Sequence, residues 1–250
     1  MKKIISLLTI IAFVSISAFA QLSNSPDTYE TEKGKLLVHP VNHGTVAFTF
    51  DGKTIFVDPY GGADKFSDFN SPDLILITDI HGDHLNSETI SGLDTKNTIF
   101  VVPQAVADRM GEELQDQIVI IGNEETTTQL GIEITGVAMY NLPDDESSRH
   151  KKGRGNGYLI NFGGTTVYLS GDTEDIPEMR NLENIDIAFV CMNLPYTMDI
   201  YQAASAVIEF SPTVMYPYHH RGQDIQRFKE IMSVGNPEVN VVLKDWYPSN

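Results

Sequence analysis

The apolar run Leu74-Ile75-Leu76-Ile77 empties without a linker into Thr78-Asp79-Ile80-His81-Gly82-Asp83-His84. Such a run, bounded by turn residues, reads as a short buried strand. Two aspartates and two histidines then fall within six residues, Asp79 to His84. Whatever fold forms must bring this strand end to a site, because the strand is the rigid support for those side chains. Imidazole nitrogens and carboxylate oxygens together suit zinc and its first-row neighbours. An ordinary polar turn is the competing reading, but it has little use for so many ligand-type residues. The pattern points to a metal-site protein and, within that class, to a hydrolase.

Most of the surrounding chain also reads as short strands. Runs at 36–41, 46–50 and 54–57 are rich in strand formers, and Asp51-Gly52 between the last two signals a tight hairpin. Further strands are expected at 74–78, 98–102, 118–121 and 132–137, with a short helix at 103–110. Residues 21–33 read as a polar leader. The second half restarts the scheme: runs at 158–162 and 165–169 flank Gly163-Gly164, and strands follow at 187–191 and 214–218. Ala203, Ala204, Val207, Ile208 and Phe210 suit one amphipathic helix, and 223–231 suits another. Meanders that give way to alternating strands and helices, in two similar halves, predict two packed sheets with outer helices. One domain over 21–250 accounts for this, with no linker or low-complexity segment.

The first residues read differently. Lys2 and Lys3 precede an apolar stretch over 4–19, and Ala18-Phe19-Ala20 is a small-x-small cleavage pattern. This predicts a signal peptide over 1–20 and a periplasmic or secreted protein, with an uncleaved anchor as the alternative. Loss of Lys2 and Lys3 takes the formal charge from −17 to −19. So acidic a body argues against nucleic acid or an anionic membrane as partner. Cys191, the one cysteine, lies in an apolar run and reads as a buried, inert thiol; no intramolecular disulfide can form.

Other strand ends carry candidate chemistry. Leu169-Ser170-Gly171-Asp172-Thr173 repeats the strand-then-carboxylate layout, although Gly-Asp alone is usually only a turn. Tyr216-Pro217-Tyr218-His219-His220 offers two histidines, one a candidate ligand and the other a candidate for simple solvation. His43, in a turn, reads equally well as a structural histidine or a site residue. The segment from Arg149 to Gly157 sets cationic side chains among glycines; it reads either as an anion-docking loop or as a flexible charged connection. No Gly-x-Ser-x-Gly elbow and no Cys/His pairing supports a covalent nucleophile.

Asp79-x-His81-x-Asp83-His84, then Ser170-Gly171-Asp172-Thr173, then Tyr218-His219 resemble the ordered motifs of the metallo-β-lactamase superfamily. Val57-Asp58-Pro59 is similar to its lactonase-like and phospholipase-D-like branch. The resemblance implies an α+β fold, a four-layer αββα sandwich, with a site at the edge of the two sheets. The family motif is His-x-His-x-Asp-His, so Asp79 replaces its first histidine. A further family histidine is matched here by Asn141, with His150 nine residues on as the candidate to replace it.

By this resemblance Asp83, His84, Asp172 and His219 hold one metal position, and His81 with Asp79 the other. The implied cofactor is one or two Zn2+ ions; a carboxylate and an amide are weaker donors for zinc than imidazole, so the altered position is expected to be weak, empty or shifted to Mn2+ or Fe2+. The implied activity is hydrolysis of an ester-like bond (lactone, carboxylic ester or phosphodiester) of a small-molecule substrate by metal-bound hydroxide. Asp83 would orient that hydroxide. His150, Lys152 or Arg154 would steady developing negative charge, with Asn141 also facing substrate and His43 orienting a ligand. The alternatives are a non-catalytic protein that keeps the fold to bind a metal or a ligand and, ranked lower because the redox branches keep a fuller ligand set, an oxidoreductase using paired iron.

Overall fold

The computed structural model describes residue 22 and residues 24–248; the expected signal peptide at 1–20 lies outside the described residues. The first sheet sets its strands side by side in chain order: β1 (Asp27–Thr31), β2 (Gly34–Asn42), β3 (Thr45–Phe50), β4 (Lys53–Val57), β5 (Leu74–Leu76), β6 (Ile99–Val102) and β7 (Ile118–Ile120). The second does the same with β8 (Thr126–Gln129), β9 (Ile132–Met139), β10 (Gly155–Phe162), β11 (Thr165–Leu169), β12 (Ile187–Cys191), β13 (Val214–Tyr218) and β14 (Asn240–Val241). In each sheet the first three pairings are antiparallel and the last three parallel. Tight turns make the antiparallel half. Asp51 and Gly52 both have positive φ (48° and 71°), which lets Phe50 pair directly with Lys53.

Parallel neighbours need crossovers, and most of these carry short helices. They are α1 (Ser87–Gly92), α2 (Gln104–Ala107), α3 (Pro177–Arg180), α4 (Ile200–Phe210) and α5 (Ile225–Gly235). Asn86, Asp199 and Asp224 cap α1, α4 and α5 by accepting from backbone N–H groups of the first turn. The expected helix at 103–110 is cut to α2, after which the chain turns towards Gly111.

The period of two along the strands divides the core. Ile55, Val57, Leu74, Leu76 and Val101 point into the space between the sheets, against Ile134, Tyr158, Ile160 and Phe189 of the second. Phe56, Ile75, Ile77, Phe100 and Val102 point to the other face, under Phe66, Ile90 and Val106. Both faces of β5 are therefore buried, as the apolar run at 74–77 predicts. Outside the second sheet, α4 and α5 bury Ala203, Val207, Phe210, Phe228 and Met232. These layers are the αββα sandwich.

The expected polar leader is in part a strand. Residues 27–31 form β1 on the edge of the first sheet, paired with β2. Asp27 ties it to the second sheet and the segment after it: Tyr216 Oη donates to Asp27 Oδ2 at 2.6 Å, and Lys244 Nζ donates to Asp27 Oδ1 at 2.8 Å. A polar segment becomes a strand here because its partners, more than 180 residues away, satisfy its side chains.

Candidate metal centre

The carboxyl ends of the parallel strands meet at one edge of the sandwich. β4 leads into Asp58, β5 into residues 77–84, β11 into Asp172, β12 into Asn193 and β13 into His219. The loop before β10 adds His150 and Arg154, and the β2–β3 turn adds His43.

The loop after β5 is tied down by the end of β4. Asp58, fully buried, accepts from the Thr78 backbone N–H at 2.8 Å and from the Thr78 hydroxyl at 2.6 Å. Its Oδ2 also lies 2.7 Å from His84 Nδ1. The Nδ1–H of His84 is thus directed at a carboxylate, which leaves Nε2 as a lone-pair donor aimed into the site. His150 is set the same way. Its ring Nδ1 and its backbone N–H each lie 2.9 Å from Asn141 Oδ1, again leaving Nε2 free.

These two Nε2 atoms converge on one carboxylate. His84 Nε2 lies 3.4 Å and His150 Nε2 3.2 Å from Asp172 Oδ2, while His219 Nδ1 lies 3.2 Å from Asp172 Oδ1. Asp172 follows Gly171, whose φ of 60° and crowded surroundings suit only glycine: an added Cβ would fall 2.6 Å from Met139 Sδ. Asp83 completes the ring of groups. Its Oδ2 is 3.2 Å from His43 Nε2 and 3.4 Å from His219 Nε2. His43 Nδ1 is in turn 2.8 Å from the Tyr247 hydroxyl.

Among the described residues, three sets of side chains place their donor atoms within 4.8 Å of one another: Asp79–His81–His150, His84–Asp172–His219 and His43–Asp83–His219. The buried Nε2 atoms of His84, His150 and His219, and Asp172 Oδ1, make no hydrogen bond within the protein. Buried polar atoms are rarely left this way unless a further partner satisfies them. Three imidazole nitrogens and a carboxylate oxygen aimed at common points fit a divalent cation.

The electrostatics agree. Burial opposes charge on His84, yet Asp58 and Asp172 beside it push its pKa well above 6.5. Burial also opposes ionisation of Asp172, but the neighbouring His219 and His84 hold it well below the usual carboxylate range. Asp83, despite burial, is held low by contacts with His219 and His43. Carboxylates that would so favour a proton on imidazole favour a cation equally.

Four expected contacts find other partners. Asn141 does not face the opening: its Nδ2 donates to Glu174 Oε1 and to the Tyr196 carbonyl while Oδ1 holds His150. Lys152 Nζ donates to Glu178 Oε1 at 2.6 Å and lies over the Tyr140 ring. Arg154 is committed to Asp79 through two hydrogen bonds. His220, the candidate for solvation, is buried edge-on against Tyr247, and burial, with His43 and His219 nearby, lowers its pKa to about 4. The motifs offer no role for Asn193, whose amide lies 3.1 Å from His219 Nδ1. Its place just past the apolar run at 187–191 repeats the strand-end layout and is the signal that could have found it.

Comparison with known proteins gives consistent relatives. The profile of a family described as the beta-lactamase superfamily domain matches residues 38–219. A UPF0173 metal-dependent hydrolase of Pyrococcus horikoshii is 30% identical over 223 residues, covering 80% of this chain and 94% of the relative. Another from Staphylococcus carnosus is 27% identical, with 79% and 94% covered. A Parabacteroides distasonis protein of known crystal structure is 33% identical, covers 90% of this chain and 99% of its own, and superposes with a TM-score of 0.80. The expected periplasmic or secreted destination is corrected by these curated relatives, which are archaeal and Gram-positive proteins. A basic start, an apolar stretch and small residues are a compositional pattern, and the relatives give that pattern no support as an export signal.

Proposed function

Because this chain belongs to the beta-lactamase superfamily domain family and is a metal-dependent hydrolase of that fold, we propose that it cleaves an ester-like bond in a small anionic molecule. The bond is that of a lactone, a carboxylic ester or a phosphodiester. The observation that carries this reading is the convergence of the unpaired His84 and His150 Nε2 atoms on Asp172, beside a partly exposed Asp83. A divalent cation held by His84, Asp172 and His219 would supply Lewis acidity and lower the pKa of water; the mixed nitrogen and oxygen donors suit zinc.

Within the site Asp83 is the group that meets the attacking water. It is the most accessible of the clustered carboxylates, with its side chain 34% exposed against 5% for Asp172 and 0% for Asp79. His43 holds Oδ2, so Oδ1 is left to accept a hydrogen bond from water and aim its lone pair at the substrate. His43 acts through Asp83 by fixing its orientation, and Tyr247 fixes His43.

The anionic character of the substrate rests on Arg149 and Arg221. They flank the ligand histidines in sequence, next to His150 and two residues past His219. Both guanidinium groups stack on the Tyr196 ring, at 4.4 and 5.3 Å from its centroid. Tyr196 sits between the supports of both histidines, since its carbonyl holds Asn141 and its segment begins at Asn193. Among the described residues neither arginine has a carboxylate within ion-pair distance, which leaves both free to meet a carboxylate or phosphate.

The test is a zinc-loaded preparation assayed on neutral and anionic lactones, carboxylic esters and phosphodiesters, alongside Asp83→Ala. Turnover that Asp83→Ala abolishes without loss of the folded state is the expected result. Full activity in Asp83→Ala would end the assignment to Asp83, and no turnover on any class by the metal-loaded protein would end the ester-bond reading.

A further inference from the structure

Arg154 accompanies the departure of Asp79 from the family motif. Its Nε donates to Asp79 Oδ1 at 3.2 Å and its Nη2 to Oδ2 at 3.0 Å, a two-pronged grip on a fully buried carboxylate. The same Oδ2 lies 2.5 Å from His81 Nδ1 and 4.0 Å from His150 Nε2. A neutral imidazole at this position would bring no charge. Asp79 brings a negative one and Arg154 a positive one, so the pair together keeps the charge an imidazole would give.

The pair nevertheless differs from an imidazole in what it offers a cation. Both oxygens of Asp79 are already hydrogen-bonded to a guanidinium, which cannot lose its proton. A divalent ion among Asp79, His81 and His150 would lie close to a fixed positive charge in a buried, weakly screened setting. At the other cluster, the ion-pair neighbours of Asp83 and Asp172 are imidazoles, and His84 is backed by the Asp58 carboxylate. The two positions therefore differ in what an incoming cation meets: a carboxylate already neutralised by Arg154 at one, carboxylates paired only with imidazoles at the other.

We infer that Arg154 is a resident counter-ion that weakens the Asp79–His81–His150 position, so that the protein retains one divalent cation per chain, at His84–Asp172–His219. This rests on the reading of the edge of the sandwich as a metal centre. Arg154 is a positioning residue in this account: it acts on the second cation through Asp79 and does not contact the reacting bond.

Metal content tests this without recourse to activity. The full-length protein is stripped with chelator, refilled with Zn2+, passed through gel filtration and measured for bound zinc, and both dissociation constants are read by calorimetry. The wild type should retain about one equivalent, with the second at least roughly tenfold weaker. Arg154→Gln removes the charge but keeps an N–H donor for Asp79; the second equivalent should tighten by roughly tenfold while the first stays within about twofold. Arg154→Lys keeps the charge and should leave the second equivalent weak. Two equally tight equivalents in the wild type overturn the inference, as does a second equivalent unchanged or weaker in Arg154→Gln. The wild-type stoichiometry decides the matter even if Arg154→Gln loses its cooperative thermal transition. Retention of no zinc at all by the wild type would instead remove the metal-centre reading on which the inference stands.

Discussion

The two donor clusters share a strand-end origin and differ in how they are backed. His84, Asp172 and His219 issue from the ends of β5, β11 and β13, and fixed side chains, Asp58 and Asn193, hold the histidines from behind. Asp79, His81 and His150 draw one member from a long loop, and their carboxylate is shared with an arginine. The contrast teaches that donor count does not rank metal positions. The charge and hydrogen bonding behind each donor do so, because they set its lone pair and the field a cation meets.

The largest test of this contrast is His84→Ala against His150→Ala. Loss of Lewis-acid assistance of several kcal/mol should make His84→Ala roughly 10^3-fold slower on the substrate found in the panel. His150→Ala should cost only roughly tenfold, and equal losses would break the ranking of the clusters.

A sharper form targets the backing residues. Asp58→Asn should weaken the retained zinc by roughly 10–100-fold, since it removes the carboxylate that orients His84 Nδ1–H. Asn141→Ala should leave that ion within about twofold and weaken only the second equivalent, because its amide holds His150 alone among the clustered histidines. Calorimetric titration of both variants checks this.

Gly44 probes the packing around the tight cluster. A Cβ at Gly44 would fall 2.6 Å from His219 Cδ2, so Gly44→Ala must displace either the turn or the ring. Overpacking of this kind costs about 1–3 kcal/mol and should lower the thermal midpoint, with weaker zinc retention alongside. A midpoint unchanged from wild type would show that the turn gives way freely.

The smallest effect lies outside both clusters and serves as a control. Burial lowers the pKa of His39, which packs against Phe69 and lies 3.3 Å from Thr49 Oγ1. A histidine with a depressed folded pKa binds its proton more readily unfolded. Its contribution is therefore complete above pH 6.5 and is lost as pH falls through the lower folded value. His39→Gln should flatten the fall in thermal midpoint between about pH 7 and pH 5 while leaving zinc retention unchanged. An unaltered slope would assign the acid sensitivity to other groups.

The amino-acid sequence by itself determined most of the strands, both tight hairpins and the strand-end placement of Asp79 to His84, Asp172 and His219. Those features are local: a period of two, a turn needing positive φ, ligand-type residues directly after an apolar run. Only the tertiary structure decided that residues 27–31 form a strand, that Asn141 holds His150, and that Arg154 is bound to Asp79 across 75 residues. In each case a polar side chain had several plausible uses. Which one prevails depends on the partner that folding brings within hydrogen-bonding distance, and no local pattern records that partner.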